Sequence, residues 1–169
     1  MVAVTYRRAD PADIALLARH HRAMFAEMRG KAGLTLQGNC CGPADCGRMP
    51  DFARLEQAQA EKLREQLTDG TCLAFVAEQA GEAVASGCLS VMRATPVPED
   101  PSWRVGFLHS LFVEKELRGQ GIGRGLLELL LDQGRRLGLH RVQLAASEQG
   151  RRLYEKMGFV ALEHMVKWL

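Results

Sequence analysis

Hydrophobic and polar positions along the chain fall into recognisable periods. Val2 to Tyr6 alternates weakly and predicts a strand, after which Asp10-Pro11-Ala12-Asp13 offers an N-cap, a proline at the first helical position and an acid in the first turn. Ile14, Leu17, His21, Met24, Phe25 and Met28 then recur at three- and four-residue steps, one stripe of an amphipathic helix that Gly30 ends. From Gly30 to Pro50 the period is lost and Gly, Cys and Pro collect, which predicts a long loop of the kind that often walls a substrate site. A second helix is predicted from Asp51 to Thr68, closed by Gly70.

The second half of the chain reads as strands around one glycine-rich turn. Cys72 to Glu78 and Glu82 to Met92 are apolar runs joined by Gln79-Ala80-Gly81, an antiparallel hairpin, and Pro96, Pro98 and Pro101 make the following stretch a surface connection. Val105 to Val113 alternates, which predicts Phe107, His109 and Leu111 on one face and Leu108, Ser110 and Phe112 on the other. Leu126, Leu127, Leu129, Leu130 and Leu137 mark a helix that stops at Gly138. Arg141 to Ala146 reads as a buried strand, Gln149 to Met157 as a short helix capped by Gly158, and Phe159 to Leu169 as a strand closing the sheet.

Composition narrows the class. At 169 residues the chain is the size of one domain, residues 1–169, and with 47% hydrophobic and 25% charged residues it has the balance of an ordinary globular core. A net charge of +2 falls well short of the basic stripe of a nucleic-acid binder, so no nucleic-acid partner is expected. No secretory leader and no membrane span are read, and five cysteines, an odd number, fit a reducing compartment; the expected location is cytoplasmic.

A glycine turn between a strand and a helix presents backbone N–H groups at the positive end of the helix dipole, a cradle for phosphate oxygens. The dinucleotide pattern G-x-G-x-x-G fails from Gly119, where Arg124 takes the last glycine position, and from Gly121, where Leu126 does; no Gly-Lys-Ser/Thr follows for a Walker loop. Arg118-Gly119-Gln120-Gly121-Ile122-Gly123 has the form [Q/R]-x-x-G-x-G. That hexapeptide resembles the pyrophosphate loop of the GNAT superfamily, the acyl-CoA-dependent N-acyltransferases. Ser110-Leu111-Phe112-Val113, before Arg118, resembles the strand that carries the pantetheine, and Leu153-Tyr154-Glu155-Lys156-Met157-Gly158-Phe159 resembles the superfamily's L-Y-x-x-x-G-F segment.

The resemblance implies an α/β fold with a mixed, mostly antiparallel central sheet flanked by helices on both faces, and acetyl-CoA as cosubstrate with no metal. It implies that Leu111, Phe112 and Val113 hold the pantetheine arm. The loop amides from Gln120 to Arg124 would hold the pyrophosphate, with Arg118 and Arg124 adding charge and Arg151 or Arg152 near a 3′-phosphate. Ser147 stands where many relatives carry an asparagine that bonds the cofactor arm. Tyr154 would protonate the departing thiolate. His109 falls where serotonin N-acetyltransferases carry a catalytic histidine and is the expected general base; their second histidine corresponds to Phe107, and the glutamate of histone acetyltransferases to Val105.

Cys40-Cys41-x4-Cys46 lacks the second pair that a structural zinc site needs, so no metal is expected there. His20 and His21 read as the solvent and core faces of one helix, with His21, Met24 and Phe25 available to line an acceptor cleft. The expected activity is acetyl transfer to a primary amine of a small molecule in a ternary complex; a protein N-terminal or lysine acetyltransferase and a catalytically silent acyl-CoA sensor are the alternatives. A homodimer is common among such proteins, though nothing in this sequence specifies an interface.

Overall fold

The computed structural model describes residues 3–30 and 51–162. The expected Gly30 to Pro50 loop, with Cys40, Cys41 and Cys46, lies outside the described residues, as does most of the expected closing strand; Phe159 to Leu162 has no regular structure. The chain folds as β1 (Val4–Arg8), α1 (Ile14–Gly30), α2 (Phe52–Thr68), β2 (Cys72–Gln79), β3 (Glu82–Arg93), β4 (Arg104–Val113), α3 (Ile122–Arg136), β5 (Val142–Gln143) and α4 (Glu148–Lys156).

Local chemistry sets the helix starts. Asp10 accepts from the Ala12 amide and Asp13 accepts from the Asp10 amide, a capping box around the 3-10 turn Pro11–Asp13 that leads into α1. Arg7 donates to both Asp13 oxygens, at 2.6 and 2.8 Å, and pins this corner to β1. Asp51 caps α2 by accepting from the Arg54 amide, and Ser147 caps α4 by accepting from the Gly150 amide at 3.1 Å.

The five strands lie in the order β1-β2-β3-β4-β5, antiparallel except for the parallel β4–β5 pair. One face packs against α3, whose Leu126, Leu127 and Leu130 are fully buried among Leu89, Leu108 and Ala85. Each such leucine contributes about 1.5–3 kcal/mol of burial. The other face is covered by α1 and α2 through Leu17 and Leu63 against Cys72, Ala74, Val76 and Cys88. Both cysteines there are free and buried.

Two expectations are corrected. The Arg141 to Ala146 strand shrinks to Val142–Gln143 and is only half-buried, because it pairs with β4 at Gly106 and Phe107 alone before the two chains part. The alternation of β4 also breaks. Ser86 opposes Phe112 and Cys88 opposes His109, so the single residue Gly87 faces both Ser110 and Leu111. Ser110 takes up the extra length with φ +57, in the left-handed region. The inserted residue reverses the phase of the strand: Leu108 and Leu111 both pack on the α3 side, whereas His109, Ser110 and Phe112 meet groups of α1 and α2. His109 and Leu111 therefore do not share a face.

Gly87 is the counterpart of this bulge. A Cβ there would stand 2.9 Å from Leu130 Cδ1 and 3.0 Å from Leu111 Cδ1, so α3 and β4 close over a missing side chain. Gly87→Ala is expected to cost about 1–3 kcal/mol by overpacking, read as a lowered denaturant midpoint with an unchanged slope; an unchanged midpoint would contradict this packing.

Candidate active site

The separation of β4 from β5 opens a cleft. Among the described residues, no strand pairs with the β5 side of β4 beyond Phe107, and a cavity of about 540 Å³ lies against Leu111, Phe112 and Val113. Met24, Glu27 and Met28 of α1 close one side of it, the turn from Leu117 to Arg124 closes its floor, and α4 closes the other side with Ser147, Leu153 and Tyr154.

Gly119 and Gly121 have φ of +80° and +86°, and Gly121 caps α3 in the left-handed conformation without a side-chain hydrogen bond. The first bond of the helix is Gly125 N–H to the Gly121 carbonyl at 3.0 Å, which leaves the amides of Ile122, Gly123 and Arg124 without intrahelical acceptors at the positive end of the dipole. This end of α3 faces the cavity. The other two glycines of the series answer to packing: a Cβ on Gly123 would touch Val113, and one on Gly125 would collide with the Tyr6 ring. Gln120 is exposed, with its side-chain amide 3.5 Å from the Glu116 carbonyl.

Of the expected charged groups, Arg118 has a different local task. Its Nε donates to the Val113 carbonyl at 2.8 Å, and its two terminal nitrogens donate to Glu27 at 2.8 and 2.9 Å. The guanidinium, held in its charged form chiefly by the Glu27 hydrogen bond, lies 5.7 Å above the Phe112 ring. It ties α1, the end of β4 and the glycine turn together. Arg124, Arg152 and Lys156 line the cavity and supply positive charge at its rim, with Arg124 also paired to Glu128; Arg151 is outside the lining. Glu27 and Lys156 are site residues with no sequence signal, because each reaches the cleft only through tertiary contact.

Ser147 lines the cavity, but its oxygen already accepts the Gly150 amide as a helix cap. Its hydroxyl proton is still available to donate. Tyr154 lines the cavity from the last turn of α4, edge-on to Phe159 with ring centroids 5.8 Å apart. Burial pushes its hydroxyl pKa up, which favours the protonated form that an acid requires.

His109 is not among the residues that line the cavity; it lies on the α1–α2 side of the sheet. Its Nδ1 is 2.9 Å from Ser110 Oγ and its Nε2 is 2.9 Å from Ser90 Oγ, with Lys62 Nζ at 3.4 Å. Ser110 Oγ also meets His21 Nδ1 at 2.7 Å. His20, expected with His21 to straddle solvent and core, turns fully inward instead: it is buried, 2.9 Å from Ser86 Oγ and 4.7 Å from the Phe112 ring. Among the described residues, no helix is long and apolar enough to cross a membrane.

The profile of the Acetyltransferase (GNAT) family matches residues 45–159, more than half of the chain. The chain belongs to the GNAT acetyltransferase family. A GCN5-related N-acetyltransferase from Ralstonia eutropha superposes with a TM-score of 0.82 at 26% identity, covering 99% of each chain. A predicted acetyltransferase from Clostridium acetobutylicum, solved with acetyl-CoA, superposes with a TM-score of 0.80 at 21% identity, over 99% of this chain and 96% of that one. A curated glucosamine 6-phosphate N-acetyltransferase from Trypanosoma brucei brucei is 35% identical over 63 residues, 37% of this chain. The match spans 43% of that relative's length. The GNAT fold expected from the glycine turn is thus the fold observed.

The two α1 histidines make the stability of this GNAT domain sensitive to acid. Burial lowers the pKa of His20 and of His21 from the ordinary 6.5 to about 4. Between those values the unfolded chain binds more protons than the folded one, so stability falls as pH drops from about 6.5 towards 4 and is insensitive to these groups above that window. Denaturant midpoints measured across it should decline, and His20→Gln, which keeps a polar group for Ser86, should flatten the decline; an unaltered slope in that variant would contradict the assignment.

Proposed function

We propose that this GNAT domain is an acetyl-CoA-dependent N-acetyltransferase that moves the acetyl group directly to a primary amine of a small molecule in a ternary complex. The observation that carries the proposal is the cleft itself. One end of it offers the uncapped amides of α3, and its middle offers a strand edge that pairs with no other described strand. Its far side holds a half-buried tyrosine whose hydroxyl pKa burial pushes up.

These residues fit the chemistry of the cosubstrate. The amides of Gly121 to Arg124, with Arg124 at the rim, suit a diphosphate. Arg118 serves that site by fixing the shape of the turn through Val113 and Glu27. The open backbone of Leu111, Phe112 and Val113 suits the amide-bearing pantetheine arm, which would add to β4 as a strand does. Ser147 can donate its remaining proton to that arm. Acetyl-CoA, when bound, supplies the thioester carbonyl that the amine attacks.

The chain's own groups then manage protons. An alkyl amine with a pKa near 10 arrives protonated at neutral pH and must lose a proton before it can attack. His109, on β4 three residues before Phe112 and joined to His21 through Ser110, is the group assigned the base function. The Phe112 or Val113 amide is suited to hold the developing oxyanion. Tyr154 gives its proton to the departing thiolate, and the phenolate recovers one from solvent. A small acceptor is supported by the confinement of the cleft between α1 and α4 and by the glucosamine 6-phosphate N-acetyltransferase name of the curated relative.

An amine panel with acetyl-CoA, read by thiol release, tests the activity. Tyr154→Phe should lower turnover at least tenfold while CoA affinity stays within a few fold. A collapse of affinity with no loss of rate per bound cosubstrate would reassign Tyr154 to packing.

A further inference from the structure

Ser147, Gly150 and Tyr154 follow one another along α4 and all line the cleft. A helical side chain leans back over the turn before its own, so the Tyr154 ring comes to lie over residue 150. What it meets there is a glycine. A Cβ at Gly150 would stand 2.8 Å from Tyr154 Cε2, 3.5 Å from its Cζ and 3.3 Å from Ser147 Oγ. The ring therefore rests on bare backbone, nearer the helix than any side chain at 150 would let it come.

The backbone gives no reason for glycine at this position. Gly150 does not share the positive φ of Gly119, Gly121 and Gly158. It sits in the first turn of α4 with its amide donating to Ser147 Oγ at 3.1 Å, a bond that any residue except proline could make. Glycine in a helix is less favourable than alanine, so the residue weakens a helix of only nine residues. What it supplies in return is room for the ring.

That room matters because no polar contact aims the phenol. Among the described residues the Tyr154 hydroxyl has no hydrogen-bond partner, and burial is what raises its pKa. The ring is held by its faces and edges instead. Gly150 lies on the side of the preceding turn, and Phe159 stands edge-on with ring centroids 5.8 Å apart. Phe159 is itself fixed, since its amide donates to the Tyr154 carbonyl at 3.0 Å. We propose that Gly150 is a positioning residue for acetyl transfer: its missing Cβ lets Tyr154 lie back along α4 and thereby sets where the hydroxyl stands in the cleft. The assignment rests on Tyr154 as the acid towards the departing thiolate and deepens that reading. An added methyl pushes the ring outward before ordinary contact is restored, and about 1 Å of misplacement can cost a reaction on the order of 10²-fold.

Gly150→Ala in the full chain tests this. Alanine is the better helix former, so the melting midpoint should hold or rise, while kcat falls about tenfold and KM for acetyl-CoA stays within a few fold. The chain has two tyrosines, Tyr6 and Tyr154, which can be followed separately. In protein labelled with carbon-13 tyrosine and free of ligand, the substitution should shift the Tyr154 ring signals and leave those of Tyr6. In a Tyr154→Phe background it should lower kcat by less than about twofold further, because the hydroxyl through which it acts is gone. Wild-type kcat in Gly150→Ala overturns the proposal, as do unmoved Tyr154 ring signals or an equal loss in the Tyr154→Phe background. A lowered melting midpoint overturns it too, since the backbone rather than the ring would then give way. Tyr154→Phe with wild-type turnover, or calorimetric silence of the wild type towards CoA, removes the acid and its positioning together. A slow Tyr154→Phe beside a fully active Gly150→Ala removes the positioning alone.

Discussion

One inserted residue in a central strand governs the site. Antiparallel pairing would carry β4 past β3 with its side chains in constant phase, but Ser110 in the left-handed conformation adds a step that Gly87 does not match. After it, Leu111 seals against α3 while Phe112 turns to α1. The bend also accompanies the departure of β4 from β5, so a strand edge is left that no described strand pairs, and the cleft lies against it. Gly87 permits this because α3 can close on the bulge where a side chain would otherwise stand.

The site joins two kinds of interaction that differ in range. At the glycine turn, backbone amides and the dipole of α3 act on charge and need no particular side chain. At the bulge, Ser110 joins His21 and His109 through individual hydrogen bonds. The Arg118–Glu27 pair connects the two regions by fastening α1 to the end of β4. Being half-exposed, it is better understood as a geometric constraint than as a large source of stability.

The sequence made local features legible and left long-range ones hidden. The hairpin, the leucine stripe of α3 and the turn at Gly119 and Gly121 are written in neighbouring residues, and their placement in the structure agrees with that writing. The phase reversal at Ser110 is not, because serine has no marked preference for such a conformation and the alternation of Val105 to Val113 looks unbroken. Arg118 drew attention as a charge for phosphate, yet its partner is a glutamate 91 residues away. His21 and Ser110 are 89 residues apart and meet only when α1 lies across the sheet. His20 reads as one face of a two-sided helix; its burial beside Ser86 follows from the same crossing.

The central claim is that the open edge after the bulge and the uncapped start of α3 form one continuous binding surface for a CoA thioester. A titration of nitrogen-15-labelled protein with CoA, followed amide by amide, tests it most directly. The account predicts saturable shifts concentrated at Leu111 to Val113 and at Gly119 to Arg124, with β1 and α2 unaffected. Shifts confined elsewhere, or saturation at the glycine turn with the Leu111 to Val113 amides unmoved, would contradict it.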